Sequence, residues 1–141
     1  MFKKIVVPVD PSEIEFAKPA VDAAANLAKQ ADGEIRLIAV LPVMNGYVSE
    51  LLPADYETAL EAETDKRVKD LGADAGIAAD KLSVVMRTGS VYHEVIDEAK
   101  DWGADAIVVC SHRPAMSTYL LGSNAAKIVR HATCSVLVLR G

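Results

Sequence analysis

Residues 4–10 read KIVVPVD, a short and nearly uninterrupted apolar run that ends at a carboxylate. A strand that is covered by helices on both faces has this pattern, because neither face meets water. Residues 106–110 (AIVVC) and 135–139 (SVLVL) have the same character, and two further β-branched runs lie at 35–41 (IRLIAVL) and 82–87 (LSVVMR). We therefore predict five short strands in a parallel sheet.

The segment between the first two strands predicts a turn followed by a helix. Ser12 and Glu15 form the S-x-x-E pattern of a capping box, which would start a short turn. Pro19 suits the first position of the main helix, where its missing N–H is not needed, and residues 32–33 (DG) end that helix. Its apolar stripe consists of Val21, Ala24, Ala25, Leu27 and Ala28.

Three further helices are predicted between the later strands. The second runs from residue 53 or 54 to about 71, the third follows Ser90 as its N-cap, and the fourth covers about 123–132. The residues of the second helix expected to face inward are Tyr56, Leu60, Val68 and Leu71. Those of the third are Val91, Val95, Ile96 and Ala99.

This alternation of strands and helices contains no repeat, low-complexity tract or linker. It predicts an α/β protein with a doubly wound parallel sheet, right-handed crossovers and helices on both faces. The length of 141 residues fits a single domain spanning residues 1–141.

The charge balance excludes two classes of partner. Lys and Arg number 15 against 20 Asp and Glu, so the formal charge is −5. A protein that binds nucleic acid or an anionic membrane needs a basic face to offset phosphate charge, so we expect neither partner. The N-terminal apolar run is shorter than the ~7–15 residues of a secretory signal or the ~20 of a membrane span, which predicts a cytoplasmic protein.

The cysteines and two of the histidines carry little functional signal. Cys110 and Cys134 lack the spacing of a zinc site or of a disulfide framework. His93 and His131 fall within predicted helices, where a surface position is the commoner role.

A ligand site is expected where the first and fourth strands end. Open α/β sheets bind ligands beyond the carboxyl ends of their strands, at the point where the winding reverses. Asp10 follows the first strand, and its carboxylate could hold a metal ion or a ribose hydroxyl. Ser111, His112 and Arg113 follow the fourth strand and offer a hydroxyl, an imidazole and a guanidinium, a set that suits phosphate oxygens.

Gly122, Ser123 and Asn124 form a second candidate element for anion binding. They lie at the start of the last predicted helix, where backbone N–H groups and the positive end of the helix dipole favour an anion. Neither G-x-x-x-x-G-K-[ST] nor G-x-G-x-x-G after the first strand is present. Each residue also has a purely structural interpretation, with Asp10 capping a turn and Gly122 shaping one.

The longest predicted loop covers residues 42–52. It follows the second strand and so lies at the carboxyl edge of the sheet. It is either a variable connection or a flap in which Met44 and Tyr47 cover a ligand.

Four segments of the chain resemble the universal stress protein family. They are IVVPVD at 5–10, IRLIAVLP at 35–42, GSVYHEVIDEAKDWGADAIVV at 89–109 and SHRPAMSTYLLGSNAAKIVRHATCSVLVLR at 111–140. The last segment is most similar to the F-type members from bacteria. The resemblance implies a Rossmann-like sheet of the adenine nucleotide alpha hydrolase-like type, with strand order 3-2-1-4-5.

One branch of that family binds ATP, and the resemblance extends to part of its motif. The branch carries Gly-x-x-Gly, nine residues, then Gly-Ser or Gly-Thr. This chain matches at Gly122 and Ser123, but it has Cys110 and Arg113 at the earlier glycine positions and a spacer of eight residues. By similarity, the residues that would line the adenosine pocket are Pro8, Val9, Asp10 and, through its backbone, Val40.

The resemblance also implies a homodimer formed through the last strand. That strand, 135–139, is apolar and carries no proline or charge. An exposed apolar edge promotes unwanted pairing, and a twofold contact between two copies removes it. A tetramer is a further assembly that the sequence leaves open.

Three functional hypotheses remain at this point. The first is a regulatory protein of the stress response that binds ATP with Mg²⁺, with Asp10 as the metal or ribose partner. The second is an interaction module of the same fold without nucleotide, which the residues at 110 and 113 favour. The third is a slow ATPase or autokinase, although no nucleophile with a fixed base is evident.

Overall fold

The computed structural model of the chain describes residues 1–41, 43, 51, 53–111 and 122–140. Its centre is a sheet of five parallel strands in the order β3-β2-β1-β4-β5. The strands are β1 (Lys4–Val9), β2 (Glu34–Leu41), β3 (Leu82–Thr88), β4 (Ala106–Cys110) and β5 (Ser135–Leu139). The predicted α/β fold and the strand order are both confirmed.

Helices cover the sheet on both faces, as the apolar runs predicted. The first face packs against α1 (Lys18–Lys29) and α2 (Tyr56–Asp74), and the second against α3 (Val91–Trp102) and α4 (Ser123–His131). Successive residues of a strand point to opposite faces, so Ile5 and Val7 join the first core cluster and Val6 joins the second. Burying each of these side chains stabilises the fold by roughly 1.5–3 kcal/mol.

The turn before α1 differs from the predicted capping box. A 3₁₀ helix covers Ile14–Ala17, and neither it nor α1 has a side-chain cap. The hydroxyl of Ser12 donates instead to Oδ1 of Asp10, 2.7 Å away. The capping-box prediction was wrong because the 3₁₀ helix begins one residue later than predicted, with Glu13 rather than Ser12 at its N-cap position. Pro19 does lie in the first turn of α1, as predicted.

The prediction for α2 was right about Val68 and wrong about the first half of the helix. Val68 is fully buried, but Tyr56 and Leu60 are exposed. Residues 56–63 are all exposed, and burial begins at Thr64. The described elements therefore leave the first two turns of the helix unpacked.

The third helix begins where the sequence predicted, directly after Ser90. Ser90 occupies the N-cap position, but its side chain makes no capping hydrogen bond. Gly103 ends the helix with φ of 78°, a left-handed conformation that glycine adopts without steric cost. Val95, Ile96 and Ala99 are buried as expected.

A part-buried ion pair fixes α3 against the sheet. Glu98 Oε2 lies 3.4 Å from Nη1 of Arg36 on β2. Arg36 also donates from Nε to the hydroxyl of Ser83 on β3 (3.0 Å), and its guanidinium lies 4.3 Å from the centre of the Trp102 ring. The guanidinium therefore ties two strands to one helix.

The last strand is one edge of the sheet, and helices cover it incompletely. Val136 and Val138 pack against the α3–α4 side, while Leu137 is 39% exposed on the opposite face. Among the described helices, none combines the length and the apolar character that spanning a bilayer requires.

Candidate functional site

A cleft of about 710 Å³ opens at the carboxyl edge of the sheet, beyond β1 and β4. β1 pairs with β2 on one side and β4 on the other, so the winding reverses between β1 and β4. Such a reversal leaves a crevice in which open α/β proteins bind ligands. The predicted site residues that line this cleft are Pro8, Val9, Asp10, Val40, Cys110, Ser111, Gly122, Ser123 and Asn124.

Two predicted site residues and the predicted flap cannot be compared with the structure. His112 and Arg113 lie outside the described residues, as do Met44 and Tyr47. Their proposed contacts with phosphate and with the ligand remain sequence-based predictions.

The sequence reasoning missed most of the apolar wall of the cleft. Ile38 lies two residues before Val40 on β2, and Val109 precedes Cys110 on β4. The period-two alternation of a strand could have identified Ile38, because it shares a face with Val40. The other residues that were missed come from the segment after β1, from the turn after β3 and from two helices: Pro11, Ser12, Glu13, Phe16, Ala17, Gly89, Val91, Ala125 and Ile128.

Asp10 organises the turn at the mouth of the cleft. Its Oδ1 accepts hydrogen bonds from the backbone N–H of Ser12 (2.9 Å) and from the hydroxyl of Ser12 (2.7 Å). Its backbone carbonyl accepts from the N–H of Glu13 (3.0 Å). The turn-capping alternative for Asp10 is therefore confirmed, while the residue stays exposed at the cleft.

Ser111 and Gly122 are in direct backbone contact in the wall of the cleft. The N–H of Gly122 donates to the carbonyl of Ser111 at 2.7 Å, and a Cβ atom on Gly122 would lie 2.8 Å from the same oxygen. Glycine is thus required by this backbone contact, whether or not a ligand approaches. Ser111 is itself only 3% exposed, which limits the access of a ligand to its hydroxyl.

The N-terminus of α4 opens into the cleft. Ser123 and Asn124 are its first two residues, and both are exposed. The first N–H groups of an α-helix have no carbonyl partner within the helix, and they carry the positive end of its dipole. Because Gly122 donates to Ser111, the N–H groups in position for an anion belong to the residues that follow it.

The described side chains of the cleft favour a cation, whereas the N-terminus of α4 favours an anion. Of the described residues that line it, Asp10 and Glu13 are acidic and none is basic. A polyphosphate in the cleft would therefore need positive charge beyond the helix dipole, from a bound metal ion or from residues 112–113.

Cys110 contributes an uncharged thiol to the wall. Burial raises the pKa of the Cys110 thiol, and a backbone hydrogen bond with Ala20 partly offsets that effect. The side chain is therefore a neutral, weakly nucleophilic group at neutral pH.

Comparisons with known proteins agree with this architecture. A family model described as "Universal stress protein family" matches residues 1–140. Universal stress protein G of Shigella flexneri is 39% identical over 143 residues, covering 99% of this chain and all of that protein (100%). Among solved structures, universal stress protein UspA from Lactobacillus plantarum gives a TM-score of 0.79 at 22% identity, covering 99% of this chain and 98% of that one. A universal stress protein solved in complex with cAMP gives a TM-score of 0.71 at 19% identity, covering 99% of this chain and 97% of that one.

At these identities the two solved structures are evidence for the fold alone. The family model and the 39% identical relative extend the likeness to the family. The relative carries the designation G, so the resemblance to F-type members stays a prediction. By its match along nearly the whole length, the chain belongs to the universal stress protein family.

Proposed function

We propose that this protein is a regulatory protein of the stress response that binds an adenine nucleotide, ATP with Mg²⁺, in the cleft and does not turn it over efficiently. We expect it to act in the cytoplasm. The observation that carries the proposal is the cleft itself, whose volume of about 710 Å³ lies within the ~300–1,000 Å³ of typical small-molecule sites. The relative solved with cAMP supports the same class of ligand.

The two ends of the cleft suit the two halves of a nucleotide. Phe16, which lines the cleft and is 45% exposed, offers apolar surface for a flat base, and Val40 offers backbone groups for its polar edge. The N-terminus of α4, at Ser123 and Asn124, offers N–H groups to the phosphates. In this proposal Pro8, Val9 and Asp10 lie along the sugar.

Magnesium fits the chemistry of the residues that are present. Mg²⁺ prefers oxygen ligands and commonly combines one or two carboxylates with phosphate oxygens and water. Asp10 supplies such a carboxylate, and the acidic lining of the cleft leaves phosphate charge to be neutralised. When bound, the ion would neutralise part of that charge, and Arg113 and His112 are the residues we expect to contribute the remainder.

Efficient hydrolysis is not part of the proposal. A hydrolase needs a nucleophile or water held by a base that a third group orients. In the described part of the cleft, Asp10 is committed to the turn through Ser12, and the Cys110 thiol is neutral. A slow ATPase remains a distinguishable outcome of the experiment below.

The second candidate is an interaction module that holds no nucleotide. The specific observation in its favour is the loss of two glycines, with Cys110 and Arg113 in their places. Without those glycines, close approach of the backbone to phosphates is reduced.

We also propose that two copies associate through β5. The strand is an edge of the sheet, and Leu137 keeps 39% of its surface exposed there in the described structure. Pairing two such edges about a twofold axis would satisfy the free backbone groups and cover this side chain.

The first experiment measures what the freshly purified protein contains. The protein is denatured, the supernatant is analysed by HPLC, and thermal unfolding is followed with and without MgATP. Near-stoichiometric ATP supports the proposal, and ligand at 100 times its Kd should stabilise the protein by about 2.7 kcal/mol. ADP as the main species would support the slow ATPase, and an empty protein without a thermal shift would support the interaction module.

Two variants separate ligand binding from folding. Asn124→Asp adds a negative charge at a helix N-terminus, which stabilises the helix but repels phosphate. We expect weaker binding of ATP and unchanged binding of adenosine; equal loss of both would contradict a phosphate site at α4. Asp10→Asn keeps an oxygen for Ser12 and removes the charge, so a fall in MgATP affinity would indicate a ligand role beyond the turn. Asp80→Asn, on the exposed 3₁₀ turn Ala79–Lys81, is the matched control.

A further inference from the structure

A second group of ligating side chains lies on α3, apart from the predicted Asp10 site. His93, Glu94 and Asp97 each offer one ligand atom, and these atoms all lie within 4.8 Å of one another. The three residues occupy positions i, i+1 and i+4 in the first two turns of the helix. From the sequence alone, a surface position was the expected role of His93, because the sequence does not show how closely its carboxylate neighbours approach it.

The separation of two of these atoms matches the requirement of a small tetrahedral ion. His93 Nε2 and Asp97 Oδ2 are 3.3 Å apart. With metal–ligand bonds of about 2.0–2.2 Å, two ligands of a tetrahedral ion lie about 3.4 Å from each other. The i, i+4 spacing holds both side chains on one face of the helix, so no rearrangement of the backbone is needed.

Glu94 is a third ligand whose orientation is already fixed. Its Oε1 lies 3.0 Å from Nε of Arg87 on β3, and its side chain is only 19% exposed. Arg87 also donates to the backbone carbonyl of Glu94 (3.4 Å). Ligating carboxylates in metal sites are commonly held by such outer hydrogen bonds, which reduces the conformational entropy lost on binding.

The carboxylates near His93 favour a cation. Glu94 and Asp101 lie 3.0 and 3.9 Å from the guanidinium of Arg87, and Asp97 lies 3.3 Å from His93. The positive N-terminal end of α3 acts against a cation, so binding must depend on the ligand bonds and these carboxylates. One imidazole with carboxylates suits Zn²⁺, Ni²⁺ or Cu²⁺ rather than Mg²⁺ or Ca²⁺.

We propose that His93, Glu94 and Asp97 form a binding site for a divalent transition-metal ion of the Zn²⁺ class. Two of the three side chains are substantially exposed, which leaves coordination positions for water or for a group from another molecule. The site borders the cleft without sharing its predicted ligands. Glu94 Oε2 lies 3.3 Å from where a Cβ on Gly89 would be, and Gly89 lines the cleft.

The test uses Zn²⁺ alone, without nucleotide, so its result is independent of the proposed function. Equilibrium dialysis and isothermal titration calorimetry compare the wild-type protein with His93→Gln and Asp97→Asn. We expect each variant to bind Zn²⁺ more than about tenfold more weakly at this site, since even outer-shell changes cost 10–100-fold. His131→Gln, which removes an exposed imidazole from the neighbouring α4, is the matched control and should bind like the wild type.

A gain-of-binding variant makes the result decisive. Asp97→His places two imidazoles at i and i+4 and should bind Zn²⁺ and Ni²⁺ more tightly than the wild type. Wild-type and His93→Gln proteins that bind Zn²⁺ equally would overturn the proposal, as would binding by Asp97→His alone. Urea unfolding of each variant shows that the fold is retained, since these exposed substitutions should leave the unfolding midpoint nearly unchanged.

Discussion

Replacing Gly122 by alanine tests the contact that closes the rim of the cleft. The added Cβ would lie 2.8 Å from the Ser111 carbonyl oxygen, a distance at which one of the two backbones must move. The backbone of Gly122 has φ of −58° and ψ of 151°, which alanine adopts freely, so conformational strain does not contribute. Any loss of stability therefore reports the steric contact itself.

The expected magnitude follows from three terms. Forcing one methyl group into a packed site costs about 1–3 kcal/mol. Weakening the hydrogen bond from the Gly122 N–H to Ser111 adds about 1 kcal/mol to the destabilisation. Alanine also restricts the unfolded chain more than glycine does, which stabilises the folded protein by about 0.4–1 kcal/mol. The net prediction is a destabilisation of about 1–3 kcal/mol.

Urea unfolding followed by circular dichroism measures this difference. With a slope near 2 kcal/mol per molar urea, the midpoint should fall by about 0.5–1.5 M. Ser123→Ala, one residue further along and exposed, is the control and should change stability by less than about 0.5 kcal/mol. A Gly122→Ala protein as stable as the wild type would refute the close approach of the two backbones.

Three other outcomes are expected. Glu98→Ala leaves the part-buried Arg36 without its carboxylate and should lower the free energy of unfolding by about 1–3 kcal/mol. The double variant Arg36→Met with Glu98→Leu should recover most of that stability. Urea unfolding followed by Trp102 fluorescence measures both changes. Leu137→Glu should dissociate the proposed dimer in sedimentation velocity, whereas an intact dimer would mean that another surface is used. Because burial raises the pKa of Cys110, its neutral thiol contributes stability that is complete below the ordinary thiol pKa and is lost as pH rises through the higher native value. The stability advantage of the wild type over Cys110→Ala should therefore shrink from pH 7 to pH 10, and a constant difference would contradict the shift.

The strands were the most predictable part of this fold. The runs at 4–9, 106–110 and 135–139 match the observed strands because their hydrophobic pattern is local and strong. Helix α2 was less predictable, since the exposure of Tyr56 and Leu60 depends on which neighbouring elements the helix reaches. No pattern within the helix records where those neighbours lie.

The candidate site was likewise predictable only in part. Its position could be predicted, because the carboxyl ends of parallel strands always meet at one edge and the polar residues after β1 and β4 are visible in the sequence. The contacts that particular atoms make could not be predicted in this way. Which acceptor the Ser12 hydroxyl chooses, and how closely Gly122 approaches Ser111, depend on distances set by the packed fold.

By itself, then, the amino-acid sequence determined the α/β architecture, the strand order through its family resemblance, and the edge of the sheet where the cleft lies. Hydrophobic periodicity and the residues at strand ends are enough for the architecture and for this edge, because they act over a few neighbouring positions, whereas the strand order rests on the resemblance. The tertiary structure alone decided that Gly122 serves a backbone contact, that Arg36 reaches Glu98 across 62 positions of sequence, and that the described cleft carries acidic rather than basic side chains. Such features depend on through-space distances between groups from different elements, and only the packing of helices on the sheet sets those distances.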